Sequence, residues 1–295
     1  MIRPISFAFN EQTASTNTFQ NTDRGRQDVQ QRALREFNQM ASKLRDEGLN
    51  VFITDDTDEP HTPDSIFPNN WFSTHDDGTV VLYPMQAENR RYERRPDIFD
   101  TLSERYQLYE MVDLTAYEKE NKFLEGTGSL VLDRDLRLAY AAISSRTDAE
   151  VAQVFANKMG YELLLFNATD KHGVPVYHTN VVMCVGEEFL VVCMDSIQHP
   201  DQRKAIVQST SKDIIAITAA QMESFAGNML QVKNATNEKL LLMSKTAYDS
   251  LTPEQITRLE NYSRILYFDI STIEQHGGGS VRCMLAENFL PVKPN

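Results

Sequence analysis

One pattern constrains this chain more than any other. A strand, a tight turn, a returning strand, a helix and a further strand recur at intervals of roughly fifty residues. Two apolar runs around Asp76-Asp77-Gly78 predict the first hairpin, over 67–73 and 79–84. The second spans 124–132 and 138–143 around Asp133-Arg134-Asp135. It is followed by a helix capped by Thr147, with Glu150 as capping-box partner and Gly160 as its stop, and by a buried strand at Leu163-Leu164-Leu165. The third spans 181–185 and 189–194 around Gly186-Glu187-Glu188, then a helix over 200–207 and a strand over 214–217. The fourth spans 226–230 and 240–242, then a helix opened by Thr252-Pro253-Glu254-Gln255 and a strand over 265–268. Residues 277–285 begin a fifth. Ahead of the first hairpin, Val29, Ala33, Phe37, Met40 and Leu44 predict a helix over 25–46, stopped by Gly48 and followed by a short strand at 51–53. The polar residues 6–23 read as a loop crossing the surface or a pocket mouth, and the acidic, Pro-containing 54–66 as a further loop. The charged run 88–95 opens another connection.

Each unit enters its hairpin through small or polar residues: Asn70, Glu125-Gly126, His178 with Asn180, Gly227-Asn228, and Gly279 to Cys283. A ring of such units brings those entries together about one axis. Residues far apart in sequence, Cys283, His178 and Glu125, then share one place. Cys283 closes the run Gly277-Gly278-Gly279-Ser280-Val281-Arg282-Cys283, where glycines free the backbone to approach a ligand. Such a turn can present a thiol to a small substrate. Alternatively, Val281, Cys283 and Leu285 lie on one face of a strand, with the thiol as a small buried hydrophobe. On such a strand, Arg282 faces away from the thiol and has no part in its ionisation. Cys184 and Cys193 lie within apolar strands and read as core.

Composition narrows the partners. The formal net charge of −13 argues against nucleic acid or an anionic membrane surface, both of which need a basic face. No apolar run reaches the length of a signal peptide or a membrane span, and three cysteines make no disulfide framework. The chain therefore reads as an intracellular, cytoplasmic protein. His75-Asp76-Asp77 is better explained by a hairpin turn than by a metal, and no His-x-x-x-His or Cys-x-x-Cys spacing is present, so no metal is expected.

Taken in order, these motifs resemble the amidinotransferase superfamily, the guanidino-modifying enzymes of the pentein fold. Arginine deiminase, dimethylarginine dimethylaminohydrolase, agmatine deiminase and succinylarginine dihydrolase belong to it. The glycine run ending in Cys283 resembles its nucleophile loop, Glu125-Gly126 its Glu-Gly motif, and His178-x-Asn180 its His-x-Asp/Asn motif. Phe67-Pro68-Asn69-Asn70 resembles its Phe-x-x-Asp/Asn substrate clamp. The segment Asn89-Arg90-Arg91-Tyr92-Glu93 is similar to a segment that binds a substrate carboxylate. The wording as a whole is most similar to the citrulline-utilisation hydrolase branch.

The resemblance implies an α/β fold: one catalytic domain over 1–295, a five-bladed α/β propeller of ββαβ repeats with pseudo-five-fold symmetry and the site at its centre. It implies a hydrolase that needs no cofactor and takes a small amino-acid substrate, with citrulline giving ornithine, ammonia and carbon dioxide. Cys283 would attack the ureido carbon, because a resonance-stabilised centre needs a strong nucleophile. His178 would protonate the departing ammonia and then activate water. Glu125 would accept substrate N–H groups and favour the imidazolium. Asn70 and Asn180 stand where arginine deiminases carry acids, and an amide offers both donor and acceptor to a neutral ureido group. Phe67 belongs to the clamp, and Arg90, or else Arg91, would pair with the α-carboxylate. Arginine deimination, dimethylarginine hydrolysis and amidine transfer to an amine stay open as alternatives, as do a thiol amidase and a non-catalytic propeller that only binds. The oligomeric state stays open too, a homodimer included.

Overall fold

The structure is a computed structural model that describes residues 1–20 and 28–294. Of the expected loop over 6–23 and the expected helix over 25–46, residues 21–23 and 25–27 lie outside the described residues. Within that loop, Glu11–Ala14 forms one helical turn, and the Asn10 side chain caps it by accepting from the Gln12 N–H.

Among the described residues, the strands form four three-stranded sheets and one pair. Strands β1 (Ile2–Arg3) and β2 (Thr54–Asp55) make the pair, in parallel. The first sheet joins β3 (Phe72–Thr74), β4 (Thr79–Leu82) and β5 (Glu110–Asp113). The second joins β6 (Val131–Asp133), β7 (Leu138–Ala142) and β8 (Glu162–Phe166). The third joins β9 (Met183–Val185), β10 (Phe189–Val192) and β11 (Asp213–Ala216). The fourth joins β12 (Leu230–Lys233), β13 (Lys239–Ser244) and β14 (Arg264–Phe268). In each, the first two strands are an antiparallel hairpin and the third adds in parallel to the second. A parallel addition needs a crossover, which accounts for the helix in every unit.

The crossover helices Ala149–Met159, Pro200–Gln208 and Pro253–Glu260 fall where apolar periodicity places them. The cap of the first differs. Asp148, not Thr147, accepts from the Glu150 and Val151 N–H groups, because its carboxylate is the stronger acceptor one position nearer the helix. The Thr252–Gln255 capping box forms as expected, with Pro253 at the first position. The helix Val29–Asp46 buries Ala33, Phe37, Met40, Ala41 and Leu44.

Some expectations shift. The run at 51–53 is not a strand, although Phe52 O accepts from the Met1 amino group at 2.9 Å, and strand pairing begins at Thr54 against Ile2. Leu163, Leu164 and Leu165 are only half-buried, because β8 is the outer strand of its sheet. Strand β5 and the helix Pro96–Ser103, which complete the first unit, carry too weak a pattern to be expected. Residues 281–284 form a helical turn in place of a fifth hairpin strand. That turn packs against the N-terminal part of the chain. Phe37, Met40 and Leu44 of the first long helix share an apolar cluster with Val281, Cys283 and Met284. Among the described residues, no helix is long and apolar enough to cross a membrane.

Candidate active site

The polar entries of the units are not strand starts. Four hold a single helical turn: Pro68–Asn70, Gly126–Ser129 and Thr179–Val182, each ahead of its sheet, and Val281–Met284, which no strand follows among the described residues. Runs of three or four residues show no periodicity that a sequence could reveal. Phe67, Glu125, His178 and Ser280 each occupy the position just before such a turn, with non-helical backbone. The same local device therefore presents side chains of four units toward one centre.

At that centre His178 Nε2 lies 2.8 Å from Glu125 Oε2. Cys283 Sγ lies 3.3 Å from Asn228 Nδ2 and 3.6 Å from Asn180 Nδ2. Cys283, His178 and Glu125 are each 3% exposed or less. A small cavity, with space on the order of one water molecule, is lined by Cys283, His178, Asn70, Phe67, Arg90 and Arg146 among others. The site is closed. Its cover is drawn from the N-terminal segment, where Asn17 Nδ2 donates to Gly278 O at 3.1 Å and Gln20 Nε2 to Gly277 O at 3.1 Å.

Two glycine positions make this packing possible. A Cβ on Gly128 would lie 2.6 Å from Asn70 Nδ2 and 2.7 Å from His178 Nδ1, so any other residue displaces one of them. A Cβ on Gly277 or Gly279 would lie 2.8 or 2.9 Å from the Phe67 ring, which lies against the glycine run.

The charges are strongly coupled. Burial alone would raise the Glu125 carboxyl, but Arg146, the His178 hydrogen bond and Arg90 outweigh it and hold the carboxylate well below its usual range. Arg146 Nη1 is 3.5 Å and Arg90 Nη1 3.9 Å from Glu125 Oε2. Burial lowers His178 to about 4, only partly opposed by Glu125. The imidazole is thus neutral near pH 7. The expectation that Glu125 would favour the imidazolium has the right direction, but burial is the larger effect. Burial likewise raises the carboxyl of Asp64.

Several expected binding residues are otherwise engaged. The paired edge of Arg90, expected to meet a substrate carboxylate, lies on Glu93, with Nε 2.8 Å from Oε1 and Nη2 2.9 Å from Oε2. Arg91 donates to Met85 O at 3.0 Å and does not line the cavity. The oxygens of Glu125 meet His178, Arg146 and the Gln86 N–H rather than the cavity. Asn180 donates to Thr127 O at 3.2 Å and stands beside the sulfur, lining the larger cavity behind it. Arg282 is bonded to Leu285 O at 2.8 Å and to Glu287 at 3.0 Å, so it faces away from the thiol, though from a helical turn rather than a strand.

Sequence reasoning missed Arg146, Asp64, Asn17 and Tyr177, all of which line the cavity. Arg146 sits in a Ser-Ser-Arg-Thr loop that looks like an ordinary helix entry. Its guanidinium lies 5.1 Å from the Tyr177 ring centre and donates to Thr13 O at 3.1 Å and Thr16 Oγ1 at 2.7 Å. Among the described residues, no group of three or more His, Cys, Asp or Glu is placed to hold a metal ion.

A buried cysteine beside a histidine–carboxylate pair, set among small mixed sheets, defines the guanidino-modifying class of the pentein amidinotransferase superfamily. Residues 3–290 match the family model described as N,N dimethylarginine dimethylhydrolase, eukaryotic, and the chain belongs to that family, whose members are hydrolases acting on guanidino C–N bonds. No curated protein matches the chain by sequence. Among solved structures, ArgZ, an arginine dihydrolase from the ornithine-ammonia cycle in cyanobacteria, aligns over 100% of this chain and 41% of its own, with 16% identity and a TM-score of 0.77. Unliganded AgrE aligns over 100% of this chain and 39% of its own, with 19% identity and a TM-score of 0.77. A dimethylarginine dimethylaminohydrolase carrying an adduct with 4-chloro-2-hydroxymethylpyridine aligns over 96% of each chain, with 18% identity and a TM-score of 0.63. The chain thus spans about two-fifths of the full-length ArgZ and AgrE chains, and these identities carry the fold alone.

Proposed function

We propose that this protein hydrolyses a ureido or guanidino amino acid through Cys283, with citrulline as the substrate, giving ornithine, ammonia and carbon dioxide. The observation that carries the choice of citrulline is the orientation of Asn70. Its Oδ1 accepts from Arg90 Nη1 at 2.9 Å, and a guanidinium can only donate. That fixes Nδ2 as the other face of the amide. Nδ2 is buried, has no hydrogen-bond partner among the described residues and belongs to a side chain that lines the small cavity. An unpaired buried donor seeks an acceptor. A ureido oxygen is one, whereas a guanidinium offers only further donors.

The chemistry balances with one water. His178 takes the proton of the Cys283 thiol, the thiolate forms a bond to the ureido carbon, and ammonia leaves with that proton. The remaining S-linked carbamoyl group is attacked by water, whose proton returns to His178, and the thiolate departs. The resulting carbamate loses carbon dioxide and takes up a proton to give ornithine. The fold is read as five units about one axis, the fifth assembled from the two chain ends, within a single catalytic domain in the cytoplasm.

A second reading, hydrolysis of arginine, is favoured by Asp64. Its Oδ1 is buried and has no hydrogen-bond partner among the described residues, on a side chain that lines the same cavity, an acceptor that suits a guanidinium N–H. Incubation with citrulline and separately with arginine, following ammonia, ornithine and citrulline, decides between them. Ornithine and ammonia from citrulline, absent with Cys283→Ser, supports the proposal. Turnover of arginine alone replaces it with the second reading. Unchanged turnover with Cys283→Ser removes Cys283 as nucleophile.

A further inference from the structure

Among the described residues, no cation is hydrogen-bonded to the sulfur of Cys283. Arg90 and Arg146 are directed to Glu93, Glu125 and the N-terminal segment, and Arg282 to Glu287. The hydrogen-bond contacts of Sγ among the described residues are two carboxamides, and Asn228 is the nearer at 3.3 Å. The orientation of that amide is set by its neighbours. Asn228 Oδ1 accepts from the Arg282 N–H at 3.0 Å, which no amino group could do, and Nδ2 also donates to Asn180 O at 3.1 Å. The remaining Nδ2 hydrogen is left for the sulfur. Asn228 is wholly buried, so no water competes for this bond. Its position is tightly built as well. A Cβ on the preceding Gly227 would lie 2.1 Å from Val181 O, so that backbone runs hard against the third unit.

We propose that Asn228 is a catalytic residue: its carboxamide donates to the Cys283 sulfur and stabilises the thiolate, while its oxygen holds the nucleophile turn at Arg282. A hydrogen bond to a charged sulfur is stronger than one to a neutral thiol, so the donor favours the ionised form. One side chain thus both places and ionises the nucleophile, work more often assigned to a neighbouring cation or helix terminus. The assignment rests on reading Cys283 as the nucleophile. The other ionisable groups facing that cavity are Asp64, Arg90, Arg146, Tyr177 and His178.

The test is the ionisation of Cys283 without substrate, read as thiolate ultraviolet absorbance against pH, with Cys283→Ser subtracted. Asn228→Asp keeps an oxygen for the Arg282 N–H but turns a carboxylate toward the sulfur. The titration midpoint is expected to rise by about one pH unit or more, roughly a tenfold loss of thiolate at a fixed pH below it. Asn228→Ala should move it the same way by less. An unchanged midpoint in folded Asn228→Asp overturns the assignment. If neither variant folds, nitrogen-15 spectra of the unmodified chain decide. The Asn228 side-chain amide signals should shift as Cys283 ionises and stay still in Cys283→Ser, and signals that do not move overturn it equally. Loss of the nucleophile reading would show separately, as turnover retained by Cys283→Ser.

Discussion

At the scale of single residues, the site works by denying water to groups that normally have it. His178 is lowered from near 6.5 to about 4 because it is buried. The linkage follows from the sign. Between those values the unfolded chain binds a proton that the folded chain does not, so stability is full above about pH 6.5 and falls as pH drops toward 4. The loss attributable to His178 is on the order of 3 kcal/mol. Urea unfolding from pH 7 to 4 should show a shallower decline for His178→Gln than for the unmodified chain, and parallel declines would refute this account. The proposed reading of Asn70 makes a second prediction. Asn70→Asp replaces the unpaired buried donor by an acceptor, and should raise the ratio of kcat/KM for arginine over citrulline by roughly tenfold or more. A ratio that does not move would mean that Asn70 does not read the substrate.

At the scale of elements, the recurring unit was legible because hairpins and crossover helices leave long patterns. Apolar runs around Asp77-Gly78 and Gly186 mark hairpins, and Thr252-Pro253 marks a helix start. The one-turn helices at the unit entries were not legible, since four residues cannot display a period of 3.6. Strand β5 escaped notice because three of its four residues are exposed. Where two capping residues adjoin, as at Thr147-Asp148, the capping-box spacing to Glu150 pointed to Thr147, the wrong one. The structure uses Asp148, whose carboxylate accepts from two helix N–H groups at 2.9 and 3.1 Å. Asp148→Ala should therefore lower stability by about 1 kcal/mol, with turnover unchanged at temperatures well below unfolding. Thermal unfolding beside a turnover assay checks both halves, and a loss of activity without a loss of stability would show that this cap does more than hold its helix.

At the scale of the whole molecule, the motifs told which residues meet but not how they are held. The Gly-rich run, Glu125-Gly126 and His178-x-Asn180 pointed to one centre. Arg146 reaches it from a loop with no distinguishing spacing, the place of Asn228 followed from the repeat but its contact with the sulfur did not, and the engagement of Arg90 by Glu93 is a three-dimensional fact. The closure of the chain ends on each other was equally hidden. It is also the part most exposed to test. Phe37, fully buried on the helix Val29–Asp46, lies in the apolar cluster that contains Val281, Cys283 and Met284. Leu259, fully buried on the helix Pro253–Glu260, lies in another cluster, which contains no residue of the nucleophile turn. Removing either side chain leaves a cavity and should lower stability, by about 3–5 kcal/mol for Phe37→Ala and 2–5 kcal/mol for Leu259→Ala. Their effects on chemistry should part. A cavity under the nucleophile turn lets Cys283 shift relative to His178, and small displacements of reacting groups reduce rates on the order of a hundredfold. At a temperature where both variants are folded, Phe37→Ala should lose kcat much more than Leu259→Ala. Equal losses would mean that the nucleophile is held by its own turn and by Asn228, with no contribution from the N-terminal helix.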